Sequence, residues 1–598
     1  MMPSPMPQWI RVSALLILLV QMGVVSLLFL GPLRGTARNV LAQALVAGTM
    51  ALLGLGAYAI RYHGEAVREW PAKLGLLMLT VLALFLVGVY GYRVSPILAL
   101  PYDLASWSEP MLVVDVIKLR IGVPLYTPPG DSNSNTYTFG TPVLTYFLAW
   151  LFGQPTSIVF YRLILQGYLA LAALFAALSA WRLLELASPG QVAVASRRWI
   201  PFFVLTAFLF AVNPATGVFH IYLHNDPLAM LAAAVGFWVL VQYAATRRQR
   251  WLWAMALMPA VGFLVKQYLA ILLAVFVIYL LMEGRESIRR SVVFGLASLG
   301  ILLAAVGGCY AIWGQPFIYW VVQTMGEHSI SFERMLIQLG NAAGPLLPGV
   351  VGGWFLLRNS VEPRLLGLWA GWMVMVLGAM YTSGITFHPS HFGPATLISA
   401  CFFLAVLART WPGPGDSRDS SARALQPAFG FIAVLLLFAA LGLAIPRRSA
   451  PSQDVFRYAG QIEAEFAGLP ADSVLLDLGD WVYLQRSVVM TDRNSIFLTH
   501  RRLHDDLQRR VREQRFSRIL VHNHAPDLYS YDAGGLHKGI REEMLRYYRE
   551  VRRIPAARGV QSWHYHNMML SEISVLEPVS QVEMQPLSPG DASRRKEP

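Results

Sequence analysis

The sequence predicts a polytopic α-helical membrane protein of about 13 transmembrane helices, with a C-terminal extracytoplasmic α/β domain. Three observations predict it. Of 598 residues, 55% are hydrophobic and only 14% charged, against about a quarter charged in soluble proteins. The apolar residues gather in runs of roughly 20, the length that carries a helix across about 30 Å of hydrocarbon. Beyond residue 446 the composition turns charged, and short amphipathic elements replace the long apolar runs.

The clearest runs are 10–30, 40–60, 73–92, 158–186, 200–222, 226–245, 291–313, 364–382 and 427–445. The first begins at Arg11 without a small-residue cleavage site and reads as a retained span. Segment 251–282 is too long for one span and short for two, so it is expected to split near Lys266 as a helical hairpin; 343–357 reads as a short span. Six basic clusters fall in short loops: Arg61, Arg68 and Lys73; Arg197 and Arg198; Arg247, Arg248 and Arg250; Arg285, Arg289 and Arg290; Arg358 and Arg364; Arg409, Arg418 and Arg423. The cytoplasmic excess of Lys and Arg puts these loops inside, against the contrary signal of Arg34, Arg38, Arg447 and Arg448. The N-terminus is then cytoplasmic and the C-terminus outside. The same bias accounts for the formal net charge of +13 without a nucleic-acid partner. Cys309 and Cys401, the two cysteines, both fall in expected spans and can build neither a disulfide framework nor a thiolate metal site.

Four parts follow: an N-terminal transmembrane pair (1–72), a transmembrane domain (73–445) with long outward loops 93–157 and 314–342, a soluble α/β domain (446–575) and a polar tail (576–598). In the soluble part Val474–Leu478 and Ile519–His522 read as strands, and Asp454–Leu469, His500–Gln514 and Leu536–Arg549 as amphipathic helices.

The first outward loop carries the chemistry. Pro101-Tyr102-Asp103 to Glu109-Pro110 sets two carboxylates six residues apart at a membrane surface. A carboxylate at a low-dielectric boundary can have its pKa raised toward the work of a general base; solvated loop acids among interfacial aromatics are the alternative. Gly122-Val123-Pro124-Leu125-Tyr126 follows, then a turn-rich stretch, then Tyr137-Thr138-Phe139-Gly140-Thr141-Pro142, which opens an aromatic helix of about a dozen residues suited to the interface. Further on stand Tyr161-Arg162, Asn225-Asp226-Pro227-Leu228, Gly262-Phe263-Leu264-Val265-Lys266-Gln267, and Thr382-Ser383-Gly384 with His388 and His391. Lys266 in an apolar hairpin is costly and so suggests function, although a snorkelling lysine is the plainer account. His220 and His224, four apart with Asp226 beyond, would share a helix face; they read as a polar helix cap or as a divalent-metal pair. Glu327-His328 and Glu333-Arg334, in the second outward loop, could line an acceptor site or be solvated, and the pairs His522/His524 and His564/His566 have no third ligand in view.

In this order, over residues 73–410, the motifs resemble those of the polyprenyl-phosphate-dependent glycosyltransferases of the C fold. That superfamily includes protein O-mannosyltransferases, the aminoarabinose transferase of lipid A and the bacterial RgtA/B/C/D-like enzymes. One residue separates Pro124 from Tyr126, and Val143 replaces a leucine, so the fit is loose. The resemblance implies transfer of a sugar, with inversion, from a polyprenyl-phosphate donor in the membrane lipid to an extracytoplasmic envelope acceptor: a glycan, a lipid or a protein hydroxyl. It implies Asp103 as general base, with Glu109 supporting it or contacting a divalent metal. Tyr126, Tyr137, Arg162, Asp226, Lys266 and His391 would line the substrate site, Lys266 and Arg162 holding the donor phosphate. A cytosolic nucleotide-sugar site is not supported, since no Gly-rich phosphate loop or Asp-x-Asp motif occurs. A transporter or flippase and an envelope assembly protein are the competing functions. Against the former, no internal repeat is seen and the carboxylates lie in the outward loop rather than mid-span.

Overall fold

The computed structural model describes residues 65–103, 109–129, 134, 136–187, 196–216, 219–283, 287–326, 330–358, 362–385, 389–410, 453–470, 473–476, 508–522, 543–556 and 572–579. The expected spans 10–30, 40–60 and 427–445, residue His388 and the pairs at 524, 564 and 566 lie outside them.

Helix α1 (Glu65–Leu98) enters the first loop region. It is followed by α2 (Glu109–Ile121), α3 (Gly140–Leu151) and α4 (Ile158–Ala187). Then come α5 (Ile200–Ala211), α6 (Asp226–Thr246), α7 (Gln249–Val265) and α8 (Leu272–Leu281). The last long helices are α9 (Ser287–Trp313), α10 (Phe332–Arg358), α11 (Pro363–Ser383) and α12 (Gly393–Thr410). Among the described residues seven helical stretches are long and apolar enough to cross a membrane, within α1, α4, α6, α9, α10 and α11 and at Pro389–Arg409.

The bundle centre is α4 against α6, with α5 and α12 closing on it. Ala172, Ala173, Ala176, Ala177 and Ala180 line the buried side of α4. Small residues let helix backbones approach where lipid removes the hydrophobic drive to associate. Gly352 of α10 does the same against α12: a Cβ there would meet the Phe402 carbonyl carbon at 2.9 Å.

Several expectations are corrected. The run 200–222 is not one span; α5 stops at Ala211, and residues 219–225 are turns and bends. Asn213-Pro214 is the reason, because proline lacks the N–H that would continue the helix and restricts the residue before it. Loop 93–157 holds a buried helix, α2, whose Leu112, Val113, Val116 and Ile117 join the core. Loop 314–342 is also largely helical: a π-helix at Ile318–Gln323 precedes α10, which starts at Phe332 and runs through Pro345 and Pro348. Ser399 Oγ enters the α10 ladder between two of its groups: it accepts from the Gly349 amide at 2.7 Å and donates to the Pro345 carbonyl at 2.9 Å.

The C-terminal part contains α13 (Gln453–Phe466) and a four-stranded sheet. Its strands are β1 (Val474–Leu476), β2 (Arg518–His522), β3 (Tyr548–Ile554) and β4 (Ile573–Pro578), in the order β1-β2-β4-β3. The β1–β2 pair is parallel and the others antiparallel. Val455, Tyr458, Ala459 and Ile462 give α13 one buried stripe. The segment expected as a helix from Leu536 to Arg549 is, in its described part, helical over 543–547 and then becomes β3, whose Tyr548 and Ile554 bury against β4.

Candidate active site at the hairpin break

The hairpin expected near Lys266 is present. Helix α7 ends at Val265, Lys266 is extended (φ −158°, ψ 124°), and a 3-10 turn at Gln267–Ile271 leads into α8. The chain doubles back: a Cβ on Gly262 would lie 2.9 Å from Leu269 Cβ and 3.4 Å from Leu272 Cδ1. An unbroken helix would hold residues ten apart about 15 Å away from one another.

Lys266 is buried, and its Nζ donates to Asp226 Oδ1. Asp226 opens α6, where its charge also suits the positive end of the helix. The other Asp226 oxygen lies 3.0 Å from His224 Nδ1. His224 stacks on Phe219 with ring centroids 4.4 Å apart. Burial pushes the His224 imidazole below its ordinary value, and the Lys266 charge adds to this against the pull of Asp226. Tyr137 and Tyr268 present their rings to the ammonium, at 5.4 and 5.5 Å from Nζ to the centroids. Tyr137 also meets His224 edge-to-face, and Tyr268 meets His391 the same way, with centroids 5.1 Å apart. Five of the residues singled out in the sequence, or placed beside those singled out (Tyr137, His224, Asp226, Lys266 and His391), therefore converge, although they come from four segments. Tyr268 was missed; it stands in the 3-10 turn directly after the break, which brings its ring to the Lys266 ammonium.

A second buried pair stands beside the first. Arg162 binds Glu109 in bidentate fashion, Nε to Oε1 at 2.8 Å and Nη2 to Oε2 at 2.7 Å. Its remaining N–H groups go to the carbonyls of Ile97 (3.0 Å), Leu100 and Tyr102 (2.7 Å). All five guanidinium donors are thus used within the protein. Glu109 Oε1 also accepts from the Leu223 amide at 3.1 Å. The pair therefore ties the end of α1, the start of α2 and the segment leading to His224. It holds the chain on both sides of 104–108, next to buried Asp103.

Tyr126 is buried between Trp313 and Phe317, and its hydroxyl donates to the Tyr137 carbonyl at 3.0 Å. That places it behind Tyr137. Gly140 packs on the hairpin itself: a Cβ would strike the Leu264 carbonyl group and sit 3.1 Å from Val265 Cα. The glycine in the Tyr137 motif is thus a contact with the residues that present Lys266.

The expected His220/His224 pair on one helix face does not form, because that segment is not helical. His220 lies against Tyr90, with centroids 6.1 Å apart, and its carbonyl accepts from Gln166. Among the described residues no group of three or more His, Cys, Asp or Glu side chains is placed to hold a metal ion.

The segment carrying this pocket can be compared with known proteins. Residues 201–310 match the family model of dolichyl-phosphate-mannose-protein mannosyltransferase. The mannosyltransferase match takes in both Asp226 and Lys266, and the resemblance read from the motifs is found again here. No curated protein matches the sequence. Solved structures similar to the chain include ArnT from Cupriavidus metallidurans bound to undecaprenyl phosphate, at 13% identity and TM-score 0.48, covering 85% of this chain and 98% of that one. The oligosaccharyltransferase of Archaeoglobus fulgidus, in its apo form, is similar at 12% identity and TM-score 0.47, covering 84% of this chain and 76% of that one.

Proposed function

We propose that this protein is an integral membrane glycosyltransferase that moves a sugar from a polyprenyl-phosphate donor to an extracytoplasmic acceptor. The observation that carries this reading is the buried Lys266–Asp226 pair, roofed by tyrosines at a helix break, next to the loop that holds Asp103. The match of residues 201–310 to a family whose name specifies a lipid-phosphate sugar supports it.

In this mechanism the Asp103 carboxylate takes the proton of the acceptor hydroxyl. The acceptor oxygen bonds to the anomeric carbon as the bond from that carbon to the phosphate oxygen breaks, and the electron pair leaves on the lipid phosphate. Lys266 holds the donor phosphate, in the bound donor and after the bond breaks alike. Of its three N–H groups, one is used on Asp226 among the described residues, which leaves donors for phosphate. Arg162 and Glu109 brace the Asp103 loop and do not touch phosphate. Tyr137, Tyr268 and His391 wall the pocket.

Sidedness follows from the arginines. Helix α6 has 21 residues, about 31 Å of rise, close to one hydrocarbon thickness. The pocket lies at its Asp226 end. At its other end Arg247 pairs with Glu283, Arg290 lies over Tyr243, and Arg364 donates to the Ala244 carbonyl. The basic end is the cytoplasmic one, so the pocket faces outward. The C-terminal domain lies on the pocket side, since Phe456 of α13 meets Tyr102 edge-on at 6.1 Å. The division into a transmembrane pair (1–72), transferase domain (73–445), soluble domain (446–575) and tail (576–598), with about 13 helices in all, completes the proposal.

The test is transfer of radiolabelled sugar from polyprenyl-phosphate donors by purified native protein, Asp103→Asn and Lys266→Met at matched folded amounts. Loss of a general base should lower turnover by about 100-fold or more, and loss of Lys266 should weaken donor use. Equal transfer by native protein and Asp103→Asn would remove Asp103 from the chemistry. No transfer from any such donor would remove the enzyme class.

A further inference from the structure

Three segments meet on one side chain beside the Lys266 ammonium. Gln267 begins the 3-10 turn after the hairpin break. Its Nε2 donates to the Thr136 carbonyl at 2.6 Å and makes a longer contact, 3.4 Å, with the Val321 carbonyl. Thr136 directly precedes Tyr137, whose ring lies against the Lys266 ammonium. Val321 lies in the π-helix Ile318–Gln323. A second tie runs in parallel: the indole N–H of Trp320, itself fully buried, donates to the Thr127 carbonyl at 2.8 Å.

The π-helix is informative here. Such wide turns are rare, interrupt the regular α ladder and recur at functional sites. This one offers the Val321 carbonyl sideways to Gln267. A primary amide suits the junction, because one nitrogen carries two N–H donors and can satisfy two carbonyls without adding charge. A carboxylate would set oxygen against oxygen, and a thioether of the same length would leave the carbonyls unserved.

We propose that Gln267 is a positioning residue for the Lys266 pocket. It fixes the hairpin tip, the Tyr137 element and the π-helix as one unit, and so fixes where Lys266 stands relative to the Tyr137 ring. It touches no substrate; it acts through Lys266. The effect on substrate rests on the reading of Lys266 as the donor-phosphate residue, and it predicts that loss of the amide weakens donor binding more than turnover.

The experiment uses full-length protein in detergent and the near-isosteric variant Gln267→Met. Amide hydrogen exchange should quicken by about 3- to 10-fold in peptides spanning 127–140 and 315–326 and stay constant elsewhere. The KM for an undecaprenyl-phosphate sugar should rise by a similar factor, about 3- to 10-fold, with kcat within about twofold. Trp320→Phe removes only the parallel tie and should show the same pattern more weakly, which keeps the test available where Gln267→Met does not fold. Unchanged exchange in both segments overturns the junction. Faster exchange with an unchanged donor KM, or an equal fall in kcat, overturns the positioning role. Native protein that uses no polyprenyl-phosphate donor sinks the donor reading instead, and the exchange result shows whether the junction stands without it.

Discussion

At the scale of single residues, two buried ion pairs lie one short segment apart and differ in what they leave over. Arg162 has no donor to spare: two bonds go to Glu109 and three to the carbonyls of Ile97, Leu100 and Tyr102. Lysine at that position could not reproduce a planar fork that serves both carboxylate oxygens and three carbonyls. Lys266 is a point charge held by one carboxylate oxygen and two ring faces. The first arrangement is a brace and the second is suited to an exchangeable anion. The brace should show in stability. Glu109→Gln keeps the shape and leaves the Arg162 charge buried without its partner, a change that costs about 3–5 kcal/mol in comparable sites. Thermal or denaturant unfolding of the solubilised protein measures it. Stability equal to that of the native protein would mean that the Glu109 carboxylate is not what neutralises Arg162.

At the scale of elements, the helices that were legible are those whose apolar runs end at charge or glycine, such as α4, α6, α9 and α11. The sequence misleads where local and tertiary signals disagree. Glu333, Arg334 and Gln338 make the start of α10 read as loop, yet that helix reaches Arg358 as one unit because its glycines and Ser399 hold it against α12. Segment 543–554 has helical composition at first, and strand pairing with β4 converts its second half. The pocket was legible as a set of residues but not as an arrangement. Nothing local says that Lys266 pairs with Asp226, 40 positions away, or that Arg162 pairs with Glu109, 53 away. Packing makes those choices. The contact of α3 with the hairpin can be tested on its glycine. Gly140→Ala drives a Cβ into the Leu264 carbonyl group, backbone that cannot rotate aside. It should cost roughly 1–3 kcal/mol of stability, as overpacking does, and reduce donor use with it. Gly88, exposed on α1 with nothing within 4 Å of its Cβ position, is the control. Gly88→Ala should be neutral or stabilising by up to about 1 kcal/mol. Equal behaviour of the two variants in melting experiments would show that α3 does not rest on the hairpin.

At the scale of the whole molecule, the chain separates its charges along the membrane normal. Buried, paired charges collect at the Asp226 end of α6, and arginines collect at the Arg247 end, about 31 Å away. A soluble protein has no reason to keep such a polarity over one bilayer thickness; a membrane protein acquires it because its cytoplasmic loops retain Lys and Arg. The polarity also fits the proposed donor. Nucleotide sugars stay in the cytoplasm, so a pocket on the other face needs a sugar whose carrier is a lipid. Single cysteines report the sidedness directly, and the background is low because Cys309 and Cys401 are both buried. Gln154→Cys, in the exposed turn between α3 and α4 on the pocket side, should react with a membrane-impermeant maleimide in intact cells. Arg250→Cys, exposed at the basic end, should react only after the membrane is opened. The reverse pattern would place the pocket in the cytoplasm, where nucleotide sugars are available. The case for a lipid-linked donor would then lose its physical basis, even with Lys266 and Asp226 paired as they are.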